Sequence, residues 1–127
     1  MSMTPQEAAA AQGHLFLDVR ERYEWDGGHI EDSLHIPIGQ IQRRFGELSR
    51  DHPIVVVCQV GQRSALVADF LTAQGFDAHN LEGGLQQWAA EGLSLTSAEQ
   101  QGGVVDGWAR YLGGRHLDGA IEDQPEP

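Results

Sequence analysis

The stretch IVVVCQVGQRS, residues 54–64, holds the strongest structural signal in the sequence. Its first four residues are β-branched and the fifth, Cys58, is apolar, which is typical of a central parallel strand that is buried on both faces. A short loop from Gln59 to Gln62 follows, and Arg63 to Gln74 then shows apolar residues at helical spacing before Gly75. The segment therefore predicts a buried strand, a tight loop and a helix in succession.

Strands and helices alternate in the same way on either side of this segment. Strands are predicted at 14–19 and 77–81, with a less regular segment at 29–37. Helices are predicted at 4–11, 39–50 and 85–91, with one helical turn at 20–26. This alternation predicts an α/β fold, in which a small and mostly parallel sheet carries helices on both faces.

Cys58 lies where the predicted strand ends and the helix begins. Ligands in open α/β sheets bind at this edge, outside the carboxyl ends of the strands. Because helix N-terminal amides and the nearby Arg63 both stabilise an anion, we expect a lowered pKa and a thiolate nucleophile. Gly61 allows the chain to curl around the sulfur. The alternatives are a buried, inert Cys58 and an Arg63 that forms an ion pair instead of binding an anion.

The composition limits the classes of function. The chain has 127 residues, a formal net charge of -11 and no lysine. Such an acidic surface repels nucleic-acid phosphates and anionic membranes, so we expect neither as a partner. The single cysteine cannot form an internal disulfide, no apolar run could span a bilayer, and the N-terminus lacks a signal-peptide pattern, which together predict a cytoplasmic protein. The histidines show no metal-ligand spacing, so we expect no metal or other cofactor.

The character of the sequence changes near residue 96. A polar, Gly-rich stretch comes first, apolar residues at helical spacing then predict a short helix at about 103–112, and the last residues are acidic and contain prolines. We therefore predict a domain at 1–95 and a C-terminal extension at 96–127 that ends in a mobile tail. The extension supplies no loop residue, so we expect the chemistry not to depend on it. Both a monomer and a homodimer remain open.

Several separate segments between residues 4 and 95 resemble the rhodanese family. LDVR at 17–20 resembles the first family marker, and GHI at 28–30 with IP at 36–37 resembles the second. CQVGQRS at 58–64 resembles the active-site loop, and LEGG at 81–84 resembles the region after it. The order and spacing of these segments carry the resemblance. It implies a parallel sheet of about five strands flanked by helices, and a cysteine that becomes a persulfide and passes sulfur on.

The resemblance also implies roles for individual residues. Cys58 is implied as the catalytic nucleophile that accepts sulfur. The amides of the loop that follows are implied to bind the persulfide, and this loop consists of Gln59, Val60, Gly61, Gln62 and Arg63. Ser64 is implied to open the next helix. Asp18, Arg20 and His29 match positions that are mainly structural in the family.

Two features of the loop bear on the reaction. Four residues separate Cys58 from Arg63, whereas the cysteine phosphatases related to rhodanese have a longer loop that accommodates a phosphate. The loop length therefore disfavours a phosphatase. Gln59 is neutral where rhodaneses that favour thiosulfate often carry a basic residue, which puts thiosulfate as the preferred donor in doubt. The expected enzyme moves sulfane sulfur from thiosulfate or a persulfide to a thiol or cyanide.

Two other classes of function remain open. The first is a sulfur-relay or regulatory module that is loaded by a desulfurase and delivers sulfur to a partner protein. Poor turnover with every small donor, together with loading by a partner, would favour it. The second is a binding module that keeps the fold without catalysis, and the intact loop at 58–64 counts against it.

Overall fold

Alternating apolar strands and helices fold into one parallel sheet in the computed structural model, which describes residues 1–97. The strands are β1 (Ser2–Met3), β2 (Leu15–Asp18), β3 (Leu34–His35), β4 (Ile54–Val57) and β5 (Ala78–Leu81). The helices are α1 (Pro5–Ala10), α2 (Arg22–Gly27), α3 (Ile41–Arg44), α4 (Gln62–Ala73) and α5 (Gly84–Ala90). The predicted C-terminal helix and acidic tail lie outside the described residues, and the division near residue 95 stays a prediction.

The strand β4 lies at the centre of the sheet. The strand order is β1-β5-β4-β2-β3, and every neighbouring pair is parallel. Ile54 and Val56 belong to the core that includes residues of α3 and α4, whereas Val55 and Val57 belong to the core that includes residues of α1 and α5. Because successive side chains of a strand point to opposite faces, the β-branched run fills both cores. This arrangement confirms the predicted α/β sheet with helices on both faces.

The N-terminal segment contains one strand that the sequence does not predict. Thr4 caps α1, since its hydroxyl accepts from the Glu7 amide at 3.1 Å while the Glu7 carboxylate accepts from the Thr4 amide at 2.9 Å. Just before this cap, Ser2 and Met3 pair with Asn80 and Leu81 of β5. A strand of two residues is too short to show a periodic pattern in the sequence, so only its pairing with β5 identifies it.

The continuous helix predicted at 39–50 is wrong. This segment instead forms α3 between two 3-10 turns, Ile38–Gln40 and Phe45–Glu47. Gly46 weakens a helix interior, and the buried Arg44 bonds both to Gln40 at 2.7 Å and to Glu47 at 3.1 Å. These side-chain bonds are local, so they stabilise short turns without requiring a longer helix.

The carboxyl ends of β2, β4 and β5 lie side by side and lead into the loops that follow Asp18, Val57 and Leu81. Cys58 directly follows the central strand at this edge of the sheet. Within residues 1–97, no helix is long and apolar enough to cross a membrane.

Candidate active site

The loop after β4 closes around the sulfur of Cys58. The Sγ atom accepts hydrogen bonds from the Gly61 amide at 3.0 Å and from the Ser64 amide at 3.3 Å, and the Ser64 hydroxyl lies 3.2 Å from it. Cys58 is fully buried. The structure therefore brings three of the residues singled out from the sequence, Cys58, Gly61 and Ser64, into direct contact.

Two opposing effects act on the pKa of Cys58. Burial raises it, because a thiolate in the protein interior loses its hydration. Hydrogen bonds from the Ser64 hydroxyl and from the amides of Ser64, Gly61 and Val60 lower it, and together they hold the pKa below its ordinary value. The fixed donors of the loop therefore compensate for burial and favour the anionic, nucleophilic form of the sulfur.

The loop reaches the helix α4 earlier than the sequence predicts. The helix begins at Gln62, one residue before the start predicted from apolar spacing and two residues before Ser64, which the family resemblance implied as its first residue. Gly61 adopts a left-handed conformation with φ of 98°, which turns the chain sharply into the helix. Gln62 is exposed in the first turn, and Val60, which is 49% exposed, faces outward from the loop.

Asn80 of β5 also belongs to the site, although the sequence analysis did not single it out. Its Nδ2 donates to the Gly61 carbonyl at 3.2 Å, and its Oδ1 lies 2.5 Å from the Ser64 hydroxyl. Asn80 therefore contacts both residues that donate to the Cys58 sulfur. An amide side chain one residue before the carboxyl end of a predicted strand is the signal that could have indicated it.

The start of α5 holds the backbone of the loop from the other side. The Leu85 amide donates to the Cys58 carbonyl at 2.9 Å, and the Gln86 amide donates to the Gln59 carbonyl at 3.0 Å. This contact requires Gly84, because a Cβ there would lie 2.5 Å from the Gln59 carbonyl carbon and 2.6 Å from the Cys58 carbonyl oxygen. The sequence places Gly84 in a family marker, but its contact with the loop emerges only from the fold.

Arg63 forms an ion pair, which is one of the two roles that the sequence left open. Its guanidinium donates to both carboxylate oxygens of Glu24 on α2, at 2.9 and 3.0 Å. The hydrogen bond from Arg63 lowers the pKa of Glu24, and Glu24 in turn raises the pKa of Arg63. Since Glu24 compensates the charge of Arg63, the amide and hydroxyl donors are the principal stabilisers of an anion at Cys58.

Asp18 and Arg20 form a second ion pair, buried beside the loop. Arg20 donates to both carboxylate oxygens of Asp18 and, at 2.7 Å, to the Gly28 carbonyl. It also lies 3.3 Å from the Gln59 side chain, so it contacts the loop in addition to supporting the fold. His29 is buried, and its ring stacks on Trp25 with 3.5 Å between the ring centroids.

Within residues 1–97, no group of three or more His, Cys, Asp or Glu side chains is arranged to hold a metal ion. The hydrogen bonds and ion pairs described above define the candidate site as a cysteine loop lined by backbone amides, between two arginines that are each paired with a carboxylate.

A family model for the rhodanese-like domain matches residues 4–91. The chain belongs to the rhodanese-like family. Among its curated rhodanese-like relatives, the putative sulfurtransferase YtwF of Bacillus subtilis is 38% identical over 87 residues, which cover 68% of this chain and 84% of the relative. The thiosulfate sulfurtransferase GlpE of Pseudomonas savastanoi is 36% identical over 89 residues, with the same coverage of 68% and 84%.

Solved rhodanese-like structures agree with the fold. The crystal structure of a rhodanese-related protein from Thermoplasma volcanium matches with a TM-score of 0.72 at 33% identity, covering 75% of this chain and 96% of that chain. A rhodanese-like domain protein from Staphylococcus aureus matches with a TM-score of 0.67, also at 33% identity, covering 76% and 98%. The predicted rhodanese-like architecture is thereby confirmed.

Proposed function

We propose that this chain is a sulfurtransferase that carries sulfane sulfur as a persulfide on Cys58. The observation that carries this proposal is the set of donors around the Cys58 sulfur: two loop amides and the Ser64 hydroxyl, all within 3.3 Å. These donors favour a thiolate, which is the nucleophilic form of cysteine. Two relatives are named putative sulfurtransferase YtwF and thiosulfate sulfurtransferase GlpE, and these names support the same class of reaction.

In the first half of the proposed reaction, the Cys58 thiolate attacks the sulfane sulfur of a donor. A new S–S bond forms on Cys58, while the bond that held the sulfane sulfur to the donor breaks. The electron pair of that bond leaves with the donor, as sulfite from thiosulfate or as a thiolate from a persulfide. The loop amides of residues 59–63 are proposed to bind the resulting persulfide.

In the second half, an acceptor thiolate or cyanide attacks the outer sulfur of the Cys58 persulfide. The S–S bond breaks, Cys58 leaves as a thiolate, and the acceptor departs as a persulfide or as thiocyanate. The donors that stabilise the resting thiolate also stabilise Cys58 as a leaving group. One site therefore serves both halves of a ping-pong cycle without a partner base.

The charges around the loop favour a persulfide over thiosulfate as the donor. Thiosulfate is a dianion, and its binding benefits from an uncompensated positive charge. The two arginines beside the loop are paired with carboxylates, Arg63 with Glu24 and Arg20 with Asp18. Gln59 adds no charge of its own, and the chain as a whole carries a formal net charge of -11. We therefore infer weak binding of thiosulfate, although relatives named thiosulfate sulfurtransferase use that donor.

The proposed chemistry rests on residues between Asp18 and Gln86, so we propose that the extension at 96–127 is not needed for it. Cys58 is a free cysteine, and a reducing compartment preserves a free thiol between turnovers, so we propose that the protein acts in the cytoplasm.

Intact-mass measurement after incubation with thiosulfate or glutathione persulfide, each in turn, tests the proposal. The mass should increase by one sulfur atom with the persulfide, to a smaller extent with thiosulfate, and return to its original value after reduction. Cys58→Ser should show no such increase. If that variant gains the same mass, or if the wild type gains none from either donor, the proposed function is wrong.

A second candidate is a relay module that exchanges sulfur with another protein. Tyr23 on α2 and Val60 in the loop are 76% and 49% exposed, and apolar side chains beside a site are suited to a protein contact. One relative, from Bacillus subtilis, is named a putative sulfur carrier protein. Replacing both side chains with serine should slow exchange with a protein acceptor and leave exchange with cyanide unchanged. Equal slowing of both would exclude a specific role for this surface.

A further inference from the structure

The hydroxyl of Ser64 lies between two hydrogen-bond acceptors. The Cys58 sulfur is 3.2 Å away on one side, and the Asn80 Oδ1 is 2.5 Å away on the other. A serine hydroxyl has one proton, so it can donate to only one of these atoms at a time. The Asn80 amide is fixed in this orientation, because its Nδ2 donates to the Gly61 carbonyl.

The two protonation states of Cys58 use this hydroxyl differently. With a neutral thiol, the sulfur donates its own proton to Ser64, and Ser64 donates to Asn80, so every group has a partner. With a thiolate, the hydroxyl must turn towards the sulfur, and the Asn80 Oδ1 loses its donor. Ionisation of Cys58 therefore breaks one hydrogen bond while it forms another.

We propose that Asn80 is a positioning residue that competes with Cys58 for the Ser64 proton and thereby restrains the ionisation of the cysteine. A persulfide has no proton on the inner sulfur, and that sulfur is a weaker acceptor than a thiolate. The Ser64 proton therefore returns to Asn80 when the cysteine is loaded. Asn80 therefore favours the thiol over the free thiolate. It also favours the persulfide over the free thiolate, and this second statement rests on the proposed function.

This competition has a direct consequence for sulfur release. In the discharge step the acceptor forms a bond to the outer sulfur, the S–S bond breaks, and Cys58 receives its electron pair. Because a thiol of lower pKa leaves faster, a cysteine freed from the competition should release sulfur more rapidly. It should also be a weaker nucleophile towards the donor, since nucleophilicity falls with pKa. Asn80 is thus inferred to set the balance between loading and discharge.

The charged groups near Cys58 do not account for this effect. On α4 and α2 they are Arg63 and Glu24, and beside β2 they are Arg20 and Asp18, each arginine bonded to its carboxylate. None of these groups contacts the Ser64 hydroxyl or the Asn80 amide in the bonds described above. The competition for the Ser64 proton therefore does not depend on direct contacts with these charged groups.

A double-mutant cycle on the ionisation of Cys58 tests the proposal. Asn80→Ala is made in the wild type and in Ser64→Ala, and the pKa of Cys58 is taken from the rate of iodoacetamide alkylation against pH. The change in pKa caused by Asn80→Ala should be more negative in the presence of Ser64, by about half a unit to one unit, the size of one neutral hydrogen bond. Asn80→Ala also removes the hydrogen bond to the Gly61 carbonyl. Any effect of that loss on the pKa of Cys58 is present with and without Ser64, so it cancels from the comparison.

Asn80→Val provides a second cycle, in which a β-branched residue that suits a strand replaces the amide. Circular dichroism and thermal unfolding establish that each variant is folded before its titration is interpreted. Equal changes in the two backgrounds, or a more positive change in the presence of Ser64, would overturn the proposal.

Single-turnover discharge of preloaded protein to cyanide provides a separate readout. Asn80→Ala should accelerate discharge several-fold in the presence of Ser64 and leave it unchanged in Ser64→Ala. Failure of Cys58 to load with sulfur would refute the proposed function. Alkylation does not require sulfur transfer, so the titration would still test whether Asn80 restrains the ionisation of Cys58.

Discussion

The helices α4 and α5 begin in the same way but direct their amides to different targets. Each follows a glycine in the left-handed region, Gly61 with φ of 98° and Gly83 with φ of 74°, and neither has a side-chain cap. Around the start of α4, backbone amides donate to the sulfur of Cys58. At the start of α5, they donate to the carbonyls of Cys58 and Gln59.

This difference shows that the free amides at a helix N-terminus can either bind a reactive group or hold a neighbouring loop in place. The unpaired amides at a helix N-terminus need acceptors. The amides of α5 find them in main-chain carbonyls, which fixes the loop in place. The amides around α4 donate to the Cys58 sulfur, which under the proposed function changes both its charge and its covalent state. A side-chain cap on α4 would compete for those amides, so a glycine is suited to its N-cap position.

The largest expected effect comes from breaking the support that α5 provides. Gly84→Ala places a Cβ against the Cys58 and Gln59 carbonyls, at a residue with φ of 62°. We expect unfolding to become easier by more than about 2 kcal/mol, and sulfur loading to fall at least about tenfold. Chemical denaturation and intact-mass loading measure the two effects.

Gly92→Ala is the matched control, because Gly92 is also left-handed, with φ of 81°, but has no atom near the added Cβ. It should cost about 1 kcal/mol of backbone strain and leave loading intact. If both glycine variants lose loading equally, contact between α5 and the loop is not the cause.

The next effect concerns the donors at α4. Ser64→Ala removes the hydroxyl beside the sulfur and should raise the pKa of Cys58 by about one unit, the size of one hydrogen bond to a charged acceptor. In the wild type, alkylation should reach half its maximal rate below the pH of a free cysteine, about 8.5. In the variant the same midpoint should move to higher pH, because less thiolate is present at each pH below it.

Ser33→Ala serves as the control for this titration. The Ser33 hydroxyl is also buried and donates to the Ile30 carbonyl at 2.6 Å, away from the loop. Its loss should reduce stability and leave the Cys58 titration where it is. A shift of the same size in both serine variants would indicate a general loosening of the fold.

A smaller effect is expected from the ion pair on the first turn of α4. Glu24→Gln leaves the Arg63 charge uncompensated, so the KM for thiosulfate should fall about threefold to tenfold while kcat changes little. Steady-state kinetics at two ionic strengths measure this change, which should diminish at high salt. Asp26→Asn removes a charge from the same helix, where Asp26 pairs with the exposed Arg22, and should change KM much less.

The smallest expected effect is at the part of the loop that α5 holds. Gln59→Arg adds a charge next to Cys58, but Arg20 lies 3.3 Å from the Gln59 side chain and will repel it towards solvent. We expect the KM for thiosulfate to fall only about twofold to threefold. Gln62→Arg places the same charge on the first turn of α4. If the two variants change KM equally, thiosulfate responds to the total charge and not to its position.

The sequence predicts those elements whose signal is local. The β-branched run of β4 specifies a central strand by itself, and Thr4 with Glu7 specifies the start of α1. The helix predicted at 39–50 is wrong because apolar spacing does not report a buried Arg44 that bonds within short turns. β1 is missed because a strand of two residues exists only through its pairing with β5.

The candidate site could be predicted only in part, for the same reason. The residues of the loop are contiguous, so their spacing indicates a cysteine site without knowledge of the fold. Asn80, Glu24 and Gly84 reach the loop from other elements, and no local pattern states that they meet. The sequence also left the role of Arg63 undecided, and its partner became apparent only when α2 was placed beside α4.

The pairing of β1 with β5 has a consequence for synthesis on the ribosome. Ser2 leaves the ribosome well before its partner Asn80, which emerges only when most of the described residues have been translated. Asn80, Leu85 and Gln86, which hold the loop, also follow Cys58 by more than about twenty residues. A nascent chain that has been translated as far as α4 therefore contains the Cys58 thiol but not yet the residues of β5 and α5 that bond to the loop. The loop therefore reaches its final geometry only after β5 and α5 have been translated and the sheet is closed.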